Sequence, residues 1–308
     1  MRKTLTDLLH HSEFDVVHVQ LARMAPYLEH IRGLPRVVDL IDALSVNMER
    51  RFRRDHGPLR LAAYIEWQRL HRYEQTICRL FDAVTIVSDE DRAAIGDWPN
   101  LSINANGVDL SQFPFVLEGR EEHSIVFTGN MGYFPNVDAV CWFAGHVLPM
   151  VRAVAPATRF IIVGTNPHPR VQALGEMNAV IIVTGRVPRV QDYLERATLA
   201  VVPMQGGSGM QFKVIEAMAS GAPVIVTPYA LGGIDVQHGE HLLIADTAAV
   251  FTTHVLELMN NAALRSELAQ QARRLVETHF SWEKTVGDLN RLYHTVISPH
   301  EKYPNPHP

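Results

Sequence analysis

The stretch Pro203-Met-Gln-Gly-Gly-Ser-Gly-Met-Gln-Phe-Lys-Val-Ile-Glu-Ala-Met-Ala-Ser-Gly-Ala-Pro-Val-Ile225 closes one apolar run, crosses a glycine-rich turn, enters a helical pattern near Met210 and ends in the next apolar run. That order, strand–loop–helix–strand, is the unit from which right-handed parallel sheets are built. The surrounding sequence repeats it. Residues 124–129, 159–164, 180–185, 199–203, 223–227 and 242–246 are continuous apolar runs rich in Val and Ile, which predicts strands covered on both faces. Three of these runs end in glycine, at the strand edge where open α/β sheets bind ligands.

The first 110 residues are sparser, with strands expected at 15–19, 36–39, 83–87 and 101–103. A long helical stretch, 44–80, is interrupted at Gly57-Pro58, residues 1–11 read as a helix, and 107–123 has the turn residues and charge of a linker. A chain of 308 residues with 47% hydrophobic and 20% charged content is long enough for two buried cores. The formal charge of −5 provides no global basic field, so nucleic acid is not an expected partner. Two cysteines far apart argue against a disulfide framework, and no apolar run approaches the ~18 residues of a membrane span. The expectation is a cytoplasmic protein.

The loop Gly206, Gly207, Ser208, Gly209, Met210 and Gln211 carries the chemistry. Glycines let a backbone approach a phosphate closely, and the free N–H groups of the following helix attract anions. Lys213 and Glu216 are three apart and share one helix face, placing a cation for a diphosphate beside a carboxylate for ribose hydroxyls. The loop matches neither the Walker pattern nor G-x-G-x-x-G. A plain strand–loop–helix joint with a surface Lys–Glu pair is the competing reading.

The helix segment resembles the donor-site motif of glycosyltransferase family 4. Val87-Ser-Asp-Glu-Asp91, Asn106-Gly-Val-Asp109, Phe127-Thr-Gly-Asn-Met-Gly-Tyr-Phe-Pro-Asn136, Val183-Thr-Gly-Arg-Val187 and His279-Phe-Ser-Trp282 resemble further family segments in order and spacing. The nearest subset is the bacterial exopolysaccharide-type sugar transferases. The resemblance implies an α/β GT-B architecture: two Rossmann-like parallel-sheet domains facing a cleft. Residues 1–117 would form the acceptor-side domain, 118–280 the nucleotide-sugar domain, 281–297 a closing helix and 298–308 a disordered tail. The N-terminal domain should be incomplete, because residues 1–35 lack the strand and glycine-rich turn with which the family's domain opens. Self-association through that half, and poor transfer by this chain alone, would follow.

The resemblance further implies a retaining transferase that moves a sugar from a nucleotide-diphosphate sugar to a glycan or lipid-linked acceptor. Lys213 and Glu216 take the catalytic places. Gly129, Asn130, Gly185, Arg186, Val187 and the 206–211 loop take the donor-binding ones. Ser208 stands where the family has an acid on the donor sugar, and no basic residue follows the first C-terminal strand, leaving Lys213, with Arg186, to meet the diphosphate. No metal or other cofactor is expected. His238 and His241 have ligand spacing but sit in a glycine turn, and the better reading is structural. His18 and Asp42 are the acceptor-side candidates; a satisfied strand-end histidine and a helix-capping aspartate are the plainer alternatives. Residues 50–79 hold eight arginines and three acids with Tyr64, Trp67 and Tyr73 interleaved. This stretch is either a peripheral membrane contact at the inner membrane face or a solvated helix whose aromatics pack inward. A non-catalytic binding subunit and a nucleotide-sugar epimerase are the alternatives to a transferase.

Overall fold

A computed structural model describes residues 2–206 and 209–301. It divides into two compact units, Met1–Ala105 with Glu283–Pro308, and Asn106–Trp282. The division falls earlier than the expected 117/118 boundary, and the returning C-terminal helix joins the first unit.

The first unit holds a parallel sheet of β1 (Val17–Gln20), β2 (Arg36–Asp39), β3 (Ala83–Ile86) and β4 (Leu101–Ile103), in that spatial order. Its helices are α1 (Arg2–His11), α2 (Leu44–Arg54), α3 (Gly57–Leu80) and α4 (Asp89–Ile95), with a 3₁₀ turn at Ala22–Tyr27. One sheet face, with Val38, Val84 and Ile86, is buried against Ile77 and Cys78 of α3, Ile95 of α4 and the 3₁₀ turn. The break at Gly57-Pro58 separates α2 from α3 as expected. Gly57 takes φ +59 there, and Pro58 opens α3, where its missing N–H costs nothing.

The second unit holds six parallel strands: β5 (Glu121–Thr128), β6 (Arg159–Val163), β7 (Ile181–Gly185), β8 (Ala197–Val202), β9 (Val224–Val226) and β10 (Leu243–Ile244). Their spatial order is β10-β9-β8-β5-β6-β7. The chain builds outward from β5 to β7, then returns to β8 and builds the other way, so the order reverses between β5 and β8. Helices α5 (Phe134–Trp142), α6 (Leu148–Val154), α7 (Pro169–Met177), α8 (Gln191–Arg196), α9 (Phe212–Ala219), α10 (Ala248–Asn260) and α11 (Ala262–His279) cover the sheet. Every residue of β8 and β9 is buried, which accounts for their unbroken apolar sequence.

Three expectations need correction. The run from α5 through a π-helical turn (Phe143–Val147) to α6 is long and apolar enough to cross a membrane by length and composition, with mean hydropathy 1.3. Here it is a core helix: the Phe143 ring packs tilted against Phe160 of β6, centres 4.7 Å apart, and edge-on against Phe251 of α10, centres 5.6 Å apart. The expected linker is instead pinned to the second unit. Arg120 is half-buried and donates to the carbonyls of Val116, Leu194, Ala197 and Ser220, while Val108 exchanges backbone hydrogen bonds with Phe280 and Trp282. Finally, α12 (Trp282–Glu301) runs through the first residues of the expected tail; the rest of that tail, 302–308, lies outside the described residues.

Candidate functional site

The order reversal between β5 and β8 makes a crevice at the carboxyl ends of those strands, the position where doubly wound sheets take ligands. Two loops flank it, one from β5 to α5 and one from β8 to α9. Lys213, in the first turn of α9, reaches across: its ammonium donates to Asn136 Oδ1 at 2.9 Å and to Gln211 Oε1 at 3.0 Å, and lies 5.4 Å from the Phe127 ring centre. Asn136 is buried in the first turn of α5, and its amide nitrogen donates to the Asn130 carbonyl at 2.9 Å. Burial holds the Lys213 ammonium down to about 8, the charge of Glu216 opposing that shift. Glu216, one turn along α9, is pushed up by burial and drawn back by Lys213.

Glycines permit this packing. A Cβ on Gly129 would lie 2.8 Å from Asn136 Nδ2 and 3.3 Å from Lys213 Cε, and one on Gly164 would lie 1.6 Å from the Gly129 carbonyl oxygen. The edge continues across the sheet, because Gly129 N–H donates to Val163 and Gly164 N–H to Gly185. Gly185 has φ +67, and Arg186 follows it, exposed, at the end of β7. β7 lies two strands from β5, about 10 Å at the usual strand spacing. Arg186 thus starts two strands from β5, on the far side of β5 from the β8–α9 loop that carries Lys213.

Gly206, Gly209, Met210 and Gln211 are in place on the β8–α9 loop; Gly207 and Ser208 lie outside the described residues. Two contributors escaped the sequence reading. Asn136 was overlooked as a partner of Lys213, because 77 positions separate them. Gly232, at φ +51, packs so closely that a Cβ would fall 2.0 Å from the Gly209 carbonyl oxygen. Its Gly-Gly step was the only available signal.

In the first unit, His18 Nδ1 shares a 2.5 Å hydrogen bond with the Tyr293 hydroxyl of α12, and its Nε2 is buried without a partner. Burial lowers its pKa, with Asp39 opposing. Asp42 is raised by burial and by Asp91. It does not cap α2. That helix start is capped from a distance: Asp91 accepts from Ala43 N–H at 3.2 Å, and Glu74 accepts from Ser45 N–H at 3.0 Å and Ser45 Oγ at 2.5 Å. The imidazoles of His238 and His241 accept backbone N–H groups of their own loop, from Ile244 and Gln237, and so act as turn-closing groups.

Residues 122–261 match the family described as glycosyl transferases group 1. The chain is 22% identical over 220 residues to an uncharacterized 44.6 kDa protein in the cps region of Klebsiella pneumoniae, covering 68% of this chain and 55% of that one. It is 28% identical over 243 residues to a D-inositol 3-phosphate glycosyltransferase of Rhodococcus opacus (strain B4), covering 70% and 52%. The chain thus spans about half the length of the curated relatives it matches. Among solved structures, HepE of Anabaena in complex with UDP and glucose superposes with a TM-score of 0.70 at 15% identity, covering 96% of this chain and 81% of that one. The two parallel-sheet units have the GT-B fold. The match to glycosyl transferases group 1 lies within the second of these units.

Proposed function

We propose that the chain transfers a sugar, with retention, from a nucleotide-diphosphate sugar to a glycan or lipid-linked acceptor in polysaccharide assembly. The observation that carries this reading is the position of the Lys213 ammonium, bridging the two loops at the order reversal of the second unit's sheet. There it would meet the diphosphate and stabilise the charge that develops on the leaving group. Glu216 would accept from ribose hydroxyls. The base would lie toward Gly185, Arg186 and Val187, since the spacing from β5 to β7 suits a nucleoside's length. Gly129, Asn130 and the 206–211 loop would line the phosphate path. Charge on the leaving group would be met by Lys213 and helix N–H groups, with no metal called for. HepE, whose structure was solved with UDP and glucose, supports the nucleotide class. The cps-region relative supports the polysaccharide setting.

On the acceptor side the reading assigns His18 and Asp42, both near Asp39 at the carboxyl edge of the first unit's sheet. Peripheral contact with the inner membrane face would run along α3. Pro58, Leu61, Ala62 and Ile65 fall on one exposed stripe, continued by exposed Arg69, Arg72 and Arg79. An apolar strip leading into cations fits an anionic lipid surface. The free thiols Cys78 and Cys141 suit a reducing cytoplasm.

Calorimetric titration with UDP-, GDP- and ADP-sugars tests the reading. One of the three should bind saturably, and turnover with a glycan acceptor should release the nucleoside diphosphate. Binding without turnover would favour a donor-binding subunit, and no binding would remove the reading altogether.

A further inference from the structure

The Lys213 ammonium is held by neutral groups. Asn136 Oδ1 and Gln211 Oε1 accept from it at 2.9 and 3.0 Å, and the Phe127 ring flanks it. The charged group whose field acts on it is Glu216, one turn further along its own helix. The Asn136 side chain has one usable orientation: its amide nitrogen is committed to the Asn130 carbonyl at 2.9 Å, which turns Oδ1 toward the lysine. Asn136 is itself 4% exposed and packs so close to Gly129 that a Cβ there would strike it, so the Asn136 side chain has no room to relocate.

A carboxylate in the Asn136 position would tie the lysine more strongly, because ionised partners make the stronger hydrogen bonds. It would also cancel the lysine's charge before any ligand arrived. An aliphatic residue would leave a buried ammonium with one acceptor fewer. The carboxamide does neither.

We propose that Asn136 is a positioning residue that keeps the Lys213 ammonium in place and un-neutralised, so that the incoming diphosphate supplies the counter-charge. The proposal rests on the nucleotide reading above and adds to it the residue that sets anion affinity and its pH range. Asn136 need not touch the ligand; it acts through Lys213. The depressed lysine pKa agrees, since a neutral acceptor does not restore what burial takes away.

The test compares wild type with Asn136→Asp and Asn136→Leu. Asp gives up the donor to the Asn130 carbonyl, a cost that the helix dipole and the nearby ammonium offset, and thermal melts check that it folds; Asn136→Ala stands in if the leucine variant melts early. The Lys213 titration is followed by NMR of 13C-labelled lysine in the free protein, and affinities for UDP, GDP and ADP are compared with those for the nucleosides. The midpoint should rise by about one unit or more in Asn136→Asp and fall in Asn136→Leu. Diphosphate affinity at pH 7 should drop about tenfold or more in Asn136→Asp, with nucleoside affinity unchanged. A merely structural asparagine would not move the lysine in opposite senses. Equal midpoints in all three proteins would overturn the proposal. Opposite shifts without any diphosphate binding would uphold the positioning role and overturn the nucleotide reading.

Discussion

The Lys213 ammonium of α9 donates to Asn136 Oδ1 of α5 at 2.9 Å across 77 positions of sequence. One bond therefore joins the helices that follow β8 and β5, the two strands between which the sheet reverses its order. It places the cation where both helix N-termini converge, and each prediction about ligand binding depends on that placement.

Replacing Lys213 with alanine should weaken a nucleoside diphosphate much more than the nucleoside itself. Charge-assisted hydrogen bonds are worth ~1.5–3 kcal/mol, so a loss of that size is expected for the diphosphate. Isothermal titration with UDP and uridine, or the matching pair for another base, reads it directly. Equal losses for both ligands would place Lys213 outside the phosphate path.

The pH dependence has two limbs of opposite sign. A bound anion favours the protonated lysine, so affinity should be flat below about 8 and fall as pH rises through that value. Folding responds the other way. Lys213 falls from 10.5 to about 8 on folding, so between those values the unfolded chain binds more protons and this group's penalty shrinks as pH rises. Comparing wild type with Lys213→Met isolates both effects. Chemical denaturation and titration at matched pH values should show stability and affinity diverging; parallel trends would count against the depressed lysine.

Glu216→Ala should leave the melting temperature nearly unchanged while weakening nucleotide binding by ~1–3 kcal/mol, the cost of an unmet ribose hydroxyl. Deoxyribonucleotides should then bind wild type and variant with similar affinity. Retention of full ribonucleotide affinity by the variant would remove the ribose assignment.

Gly232→Ala should disturb the β8–α9 loop rather than the core. Its Cβ would meet the Gly209 carbonyl oxygen at 2.0 Å, and its φ of +51 disfavours a side chain, so the loop must shift and binding should fall. Gly145→Ala is the contrast: nothing lies within 4 Å of its Cβ on an exposed helical turn, and ~0.5–1 kcal/mol of stabilisation is expected. Thermal melts and titrations of the pair separate loop geometry from general glycine effects.

Leu61→Asp together with Ile65→Asp should abolish sedimentation with vesicles containing anionic lipid without altering the melt, since both side chains are exposed on α3. Binding of wild type should weaken with salt and vanish on neutral vesicles. Wild type that ignores anionic vesicles would return α3 to the role of a solvated helix.

Strand and helix positions were largely legible in the sequence, because continuous apolar runs and their glycine punctuation are local signals. Residues 36–39 and 101–103 were placed to the residue, and the break at Gly57-Pro58 was anticipated. The helix motif around Lys213 and Glu216 was legible for the same reason, as its spacing lies within one turn. Contacts between distant segments carried no such mark. Asp42 was an acceptor-side candidate with capping of α2 as its plainer alternative, whereas Glu74 and Asp91 fill that cap from other helices. Residues 107–123 have a linker's composition, yet Arg120 anchors them through four backbone carbonyls.

Sequence by itself determined the alternation of strand and helix, the parallel class of the second unit's sheet and the presence of a glycine loop ahead of a Lys–Glu helix. Periodicity and backbone freedom act over a few residues, and the sequence records them directly. Tertiary structure alone decided that Lys213 has Asn136 as its partner, that Arg186 stands two strands away, and that Gly232 shapes the loop. Those relations depend on the order in which strands assemble, β8 returning to pair with β5, and on the burial this creates. Burial is also what depresses the lysine, since desolvation is a property of the packed site and not of the residue's neighbours in the chain.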